Sequence, residues 1–508
     1  FKLDAAAAGA ELTAAGSIAD SPDGRRFEAV TRIAGRRVDR LGLLIGLPLP
    51  RIDAYDLSAR VTQQDRVHDL RDLSVRIGGS RLTGSLRWDA SRAQPLLTGH
   101  LSVKRLMLEE LQAAAAAPAA ADPLDRPIAV DWLRSFDASL KLDVNGIAGS
   151  PVPIEQLSAD VTVAAGRLDA GLRGRAAGAS LQGQVELSVN AAPEVSLTAA
   201  IGPIDAGRTL RQLNLPLALS GAVKSVHIEG RSAGRSPRAL LEQAQLSVRA
   251  NPDGLEGSGT IMRRRVEITL AKIEASVRRG GPAEVFLSGA LNRVPFDATI
   301  TAGSMAELYR PNMPLPVRLA IRAGEVRLKA EGAVARPFSR QEFHLSHELS
   351  GKEIKGLDPL MDMVLPLQGE FQARGHVSAR GQQFFYEEDL RVGRSDLKAE
   401  LTVGYEAARP AIAGRVRIHE LHMHDLILSG AEPPEDSARR SARVIPDHPI
   451  PAEIFRAADL DLHLQAGRIV TGVEPLGDLT AHITIQNGRY HSVHSVSGVL
   501  GGRMEGEV

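Results

Sequence analysis

Apolar and polar residues alternate along this chain with a period of two over most of its length. Leu82-Thr83-Gly84-Ser85-Leu86-Arg87-Trp88 puts Leu82, Leu86 and Trp88 on one side and Thr83, Ser85 and Arg87 on the other. The same reading groups Leu140, Leu142 and Val144, then Leu181, Val185 and Leu187, then Val195, Leu197 and Ile201. It recurs at Val266/Ile268/Leu270, Leu287/Leu291, Val317/Leu319/Ile321, Leu460/Leu462/Leu464 and Ile483/Ile485. Period-two patterning with polar partners such as Lys141, Gln182, Glu186 and Arg318 predicts antiparallel strands with one solvated face. Asn145-Gly146, Asn487-Gly488 and Gly280-Gly281 have the chemistry of tight turns. Gly84, Gly183 and Gly289, inside strands, mark expected bulges or bends.

The pattern also repeats at long range. Gly78 to Leu111 returns without a gap as Gly393 to Leu426, an offset of 315 residues. Ser80, Leu82, Leu86, Pro95 and Leu111 fall on Ser395, Leu397, Leu401, Pro410 and Leu426. Asp137, Leu140, Leu142, Leu157 and Gly166 then match Asp459, Leu462, Leu464, Leu479 and Gly488 at an offset of 322. Self-similarity of this kind marks a repeat architecture. A weaker sub-repeat runs Leu82-x-Gly84…Pro95, Leu181-x-Gly183…Pro193 and Leu287-x-Gly289…Pro295. The expected organisation is a first β unit over residues 1–112, partial at its start, an Ala/Pro loop at 113–127 and a second unit over 128–245. A middle unit over 246–345 follows, then a repeat of the first unit over 346–428, a loop at 429–449 and a truncated repeat of the second over 450–508. Helices are minor: Val38–Leu47, Ala206–Leu213, Met305–Tyr309, Leu357–Val364 and one capped by Ser236 with Pro237 at its first position.

Composition narrows the function. Lys plus Arg and Asp plus Glu both number 61, which argues against a nucleic-acid partner. Apolar residues reach 43%, too many for disorder, yet aromatics are only 4%, so the greasy positions are aliphatic. There is no cysteine, which excludes disulfides, thiolate metal sites and cysteine nucleophiles. No run reaches the roughly 18 apolar residues of a membrane span, the nearest being Leu41 to Leu49. A start at Phe1 and an end at Val508 inside a strand pattern read as a portion of something longer.

Localised chemistry is sparse. His419, Glu420, His422, His424 and Asp425 have metal-ligand side chains, with His422 and His424 on one strand face, but their spacing matches no zinc-enzyme motif. The first repeat copy has Lys104, Met107 and Glu109 where the three histidines fall, so the segment is read as a solvated strand end. Glu109/Glu110 and Glu387/Glu388 are exposed charge pairs, and no nucleophile elbow, P-loop or dinucleotide fingerprint occurs in a strand-to-helix context. Arg263-Arg264-Arg265 and Arg278-Arg279 read as exposed turns, with contact to anionic lipid headgroups as the functional alternative. No catalytic residue, metal ligand or cofactor is expected. The candidate site is the apolar face itself: Leu82, Leu86, Trp88, Leu140, Leu142, Val144, Leu181, Val185, Leu187, Leu197, Leu287, Leu397, Leu401, Leu460, Leu462, Leu464, Ile483 and Ile485. Closed against a second sheet, these side chains make a dry core. Left open, they line a trough, and their small aliphatic character favours the trough.

The units resemble the AsmA-like family of bacterial envelope proteins. The carrying residues are Leu73-x-Val75-x-Ile77-Gly78-x-Ser80-x-Leu82-x-Gly84-x-Leu86, Pro95-x-Leu97 and Leu106-x-Leu108-x-x-Leu111. Downstream, Ala138–Val144, Leu157–Leu168, Leu181–Gly183 and Gly230-Arg231-Ser232 before the short helix resemble the family's carboxy-terminal region. The resemblance implies a mostly β fold, an elongated repeating groove of curved antiparallel sheet with a few short helices. It implies a non-enzymatic role in moving or sheltering phospholipid between inner and outer membranes. The expected location is the periplasm of a Gram-negative bacterium, tethered to the inner membrane by an anchor missing from this chain. Phospholipid and outer-membrane proteins are the implied partners. A structural or assembly scaffold of sandwich or solenoid modules is the alternative. A carbohydrate-binding or hydrolytic module would require more aromatics than two Trp.

Overall fold

The computed structural model describes all residues other than 8, 22–23, 38–52, 78, 108–122, 126, 129, 150–153, 191, 213–218, 262–263, 309–312, 336–341, 363, 406–408, 427–457, 472–474 and 500–501. As the alternation predicts, the fold is mostly β: the described residues form thirty strands in a single mixed sheet and a few short helices. Two compact units divide the chain, Phe1–Leu255 with Ile273–Gly281 and Glu256–Lys272 with Pro282–Val508. The expected helix at Val38–Leu47, the Leu41–Leu49 run, most of the 113–127 loop and all of the 429–449 loop lie outside the described residues, as do the side chains of Arg263 to Arg265. No described helix is long and apolar enough to cross a membrane.

In the first unit, antiparallel neighbours follow sequence order from Lys2–Ala7 to Leu96–Met107. Leu96–Met107 then pairs in parallel with Asp137–Val144, after which the antiparallel order resumes to Leu219–Ala233. The second unit has the same plan. Antiparallel pairing runs from Pro282–Leu291 to Ala411–His422, a parallel pair joins that strand to Asp459–Val470, and antiparallel pairing continues to Gly502–Glu507. The expected antiparallel sheet therefore contains a parallel join in each repeat copy. Parallel neighbours need a crossover of a dozen or more residues, which explains why each copy carries a long connection at that point.

The repeat extends to hydrogen-bond register. Leu96 opposes Asp137 in the first copy and Ala411 opposes Asp459 in the second, which are equivalent positions. A bulge separates Arg81 from Leu82, and its counterpart separates Asp396 from Leu397. Ser80 Oγ accepts from the Met107 amide at 3.1 Å and Ser395 Oγ from the His422 amide at 2.9 Å. The Asp137 carboxylate accepts from the Ala165 amide, and Asp459 accepts from that of Asn487. The two copies share their irregularities as well as their strands.

Local signals hold in part. Ser236 Oγ accepts from the Ala239 amide at 3.2 Å and caps Pro237–Glu242. Asn487 and Gly488 take the paired positive φ of a hairpin turn, 53° and 80°. Asn145-Gly146 does not form a hairpin. Asp137–Val144 before it and Ile147–Ala148 after it both pair with Ile154–Ala164, so it interrupts one strand and the chain reverses later. Gly84 lies opposite a bulge between Leu70 and Leu73, as expected. A Cβ there would come within 2.0 Å of the His100 carbonyl oxygen. Gly183, by contrast, sits in an unbroken ladder.

Candidate functional site: an aliphatic sheet face

Paired residues on neighbouring strands share a face, so the registers show which side chains the fold brings together. In the first unit, Leu82, Val103, Val144, Leu157, Gly174, Leu181, Ile201 and Val226 make one row. A parallel row on the same face carries Leu86, Gly99, Leu140, Val161, Ala170, Val185, Leu197 and Gly230. Between them runs the row of Leu101 and Leu142, and beyond them the row of Trp88, Leu97, Ala138, Val163, Leu168, Leu187 and Val195. All the expected lining residues of this unit therefore stand on one side of the sheet.

The second unit repeats the arrangement. Leu287, Ala298, Ile321, Leu328, Leu349, Ala373, Leu390, Leu397, Ile418, Ala466, Leu479 and Val496 cross twelve strands as an unbroken aliphatic row. A second row takes Val317, Gly332, Leu345, Val377, Tyr386, Leu401, Gly414, Leu462 and Ile483. Leu464 and Val416 lie in the row between, and Leu460 opposes Ile485.

How these faces are covered decides their use. Along Ser80–Asp89, Gln383–Val392 and Ala411–His422, exposed positions alternate with half-buried ones, where a face under a second layer would alternate exposed with buried. Of the expected lining residues only Ile485 is buried, at 3% exposure, and the rest are half-buried. Alanines are fully buried along the strands, among them Ala159, Ala298, Ala399 and Ala466, whereas most fully buried side chains larger than alanine lie toward strand ends, some beside short helices. In the first unit Leu133, from the turn Asp131–Arg134, packs with Val130, Ala138, Val163 and Val189. Leu140 and Leu187 border that cluster, and Trp88 meets Phe136 edge-on at 5.6 Å. In the second unit Ile354 and Leu360 join Phe296, Phe371 and Val392, with Leu287 packed against them. Trp88, Leu187 and Leu287 therefore rest against protein, while Leu82, Leu86, Leu142, Leu181, Leu197, Leu401 and Leu462 belong to neither cluster.

One polar pair interrupts the aliphatic face of the second unit. His347, Gly375 and Glu388 are register partners between Ala330 and Ala399. With no side chain at Gly375, His347 Nε2 reaches Glu388 Oε1 at 2.8 Å over its backbone. Both side chains are largely buried, and His347 Nδ1 and Glu388 Oε2 have no hydrogen-bond partner among the described residues. Burial pushes the Glu388 carboxyl above the usual carboxylate range, and the His347 charge pulls it back. Burial likewise raises the Tyr386 phenol two residues away. The pair was not apparent in the sequence, where Glu387/Glu388 read as exposed.

The opposite face is polar. Its shallow hollows include one of about 620 Å³ lined by Thr299, Arg318, Lys329, Glu331, Glu348 and Arg374, where Arg374 Nη2 meets Glu348 Oε1 at 2.9 Å. The His419–Asp425 segment is split by the fold. The strand ends at His422, and His424 belongs to the turn Met423–Asp425, so the two histidines do not share a strand face. Asp425 is buried and accepts from Ser395 Oγ at 2.7 Å and from the Arg394 and Ser395 amides at 2.9 Å each. Burial alone would raise its pKa, but these hydrogen bonds outweigh burial and hold it below the usual range. Asp425 is a structural clasp.

Comparison with known proteins finds a curated relative. The chain is 25% identical over 266 residues to the AsmA family protein YhjG of Escherichia coli (strain K12), covering 48% of this chain and 39% of that one. The chain thus spans well under half the length of this curated relative. No family model and no solved structure matches. The doubled strand block and this similarity support the resemblance of the chain to the AsmA-like family.

Proposed function

We propose that the aliphatic face receives the acyl chains of phospholipid, and that this chain is part of a lipid-conducting surface in the bacterial envelope, in the periplasm between inner and outer membranes. The observation that carries the reading is the half-burial of Leu82, Leu142, Leu181, Leu401 and Leu462. These rows run across neighbouring strands, whereas most fully buried side chains larger than alanine lie toward strand ends.

The mechanism is solvation. A methylene moved from water onto an apolar surface gains about 0.8 kcal/mol, so a row of aliphatic side chains replaces part of the bilayer for a fatty tail. Headgroups stay in water, and the register continuity of the rows gives a tail a path from strand to strand without site chemistry. Repeating the unit lengthens that path. Tethering to the inner membrane and contact with outer-membrane proteins complete the proposal.

Native mass spectrometry of gently purified protein tests it. Phospholipid should remain bound in more than one copy, and Leu142→Asp with Leu462→Asp should reduce the bound number while the protein stays folded. Folded wild-type protein without phospholipid, or variants that unfold like core variants, would favour a scaffold with a dry interior.

A further inference from the structure

On the polar side of the second unit, Asp461, His463 and His482 converge. Asp461 and His463 are two residues apart on Asp459–Val470, facing away from Leu460, Leu462 and Leu464. The antiparallel register sets His482, on Leu479–Gln486, directly opposite His463. The two imidazoles stack with centroids 4.1 Å apart and planes 9° from parallel. His482 Nε2 lies 2.8 Å from Asp461 Oδ1. One potential ligand atom from each of the three residues lies within 4.8 Å of the other two.

We infer that Asp461, His463 and His482 form a binding site for a borderline divalent metal ion such as Zn²⁺. Two imidazole nitrogens and one carboxylate oxygen suit zinc and its transition-metal neighbours, whereas Mg²⁺ and Ca²⁺ prefer all-oxygen shells. Ligands on facing positions of one hairpin need no backbone movement to converge, and coordination replaces the His482–Asp461 hydrogen bond. Both histidines also line a hollow of about 520 Å³, which leaves room for water at the remaining coordination positions. Arg415, in register with His463 on the next strand, opposes a cation, and the Asp461 charge offsets it.

The first repeat copy is an internal control. Its equivalents at the 322-residue offset are Ser139, Lys141 and Asp160, on strands paired in the same register. The fold therefore forms without this trio, and the ligand set is particular to the second copy. The inference is independent of lipid binding, since the site lies on the other face of the sheet.

Isothermal titration of the whole chain with ZnCl₂, and separately with MgCl₂, tests it. Wild type should bind Zn²⁺ with an affinity that falls by about tenfold or more in His463→Gln and in His482→Gln, since even outer-shell partners act on that scale. Asp461→Asn should weaken binding, His424→Gln should leave it unchanged, and Mg²⁺ should give no comparable heat. The side chains face solvent, so thermal melts of the variants without metal should match wild type. Zinc titrations of His463→Gln and His482→Gln that superimpose on wild type would overturn the site, as would an equal loss in His424→Gln.

Discussion

Replacing Leu462 by Asp separates an open face from a dry core. Leu462 sits in register between Ile483 and Gly414, so Ile483 packs against it on one flank and bare backbone lies on the other. It is half-buried. Full burial of a leucine contributes about 1.5–3 kcal/mol, so half-burial puts the lost contact near 1–2 kcal/mol, and the poorer strand propensity of Asp adds up to about 1 kcal/mol. The expected destabilisation is therefore about 1–3 kcal/mol. In a closed core the same carboxylate would lose its hydration without a partner, a penalty of several kcal/mol that unfolds the unit. Phe371, 2% exposed in the second unit's core, provides the comparison, since Phe371→Ala should cost about 3–5 kcal/mol. Urea unfolding followed by circular dichroism measures both. Loss of a folded baseline in Leu462→Asp, with a larger cost than Phe371→Ala, would refute the open-face reasoning.

Three further outcomes follow from the same geometry. Gly414→Ala places a Cβ 2.0 Å from the Glu400 carbonyl oxygen and should destabilise the second unit by about 2–4 kcal/mol in urea melts. Asp425→Ala strands the Ser395 hydroxyl and two amides and should cost about 2–4 kcal/mol. The folded-state pKa of Asp425 is depressed, so its contribution is present above the unfolded value and lost as pH falls through the folded one, and acid melts of wild type and variant should converge there. Glu388 runs the other way: its folded pKa is raised, so its contribution declines as pH rises from the ordinary glutamate value of about 4.3 toward the raised one. Glu388→Gln should remove that decline from a series of urea midpoints against pH, and an unchanged slope would show that the carboxyl is not held up.

Strand positions and the repeat were legible because alternation is a local signal and both copies carry it, down to the bulges at Leu82 and Leu397. The parallel joins were not, since a strand with one solvated face reads the same in either direction, and only the length of the connection hinted at a crossover. Sequence also left open which rows the fold covers. Trp88 and Leu82 share a face, yet only Trp88 lies beside the aromatic cluster near Asp131–Arg134. His347 and Glu388 meet because Gly375 lies between them in register, a relation across 41 positions that no motif encodes. The histidines near 420 look clustered in sequence and are divided by a turn, whereas Asp461, His463 and His482 look scattered and converge.

Photo-crosslinking from a benzophenone side chain at Leu462 or Leu142, compared with His463 or Lys141 on the reverse of the same strands, addresses the lipid face most directly. Labelled phospholipid should attach at the two leucine positions and not at the polar ones. Attachment of the leucine probes to other segments of this chain, with no phospholipid captured, would show that protein already fills the space reserved for fatty tails.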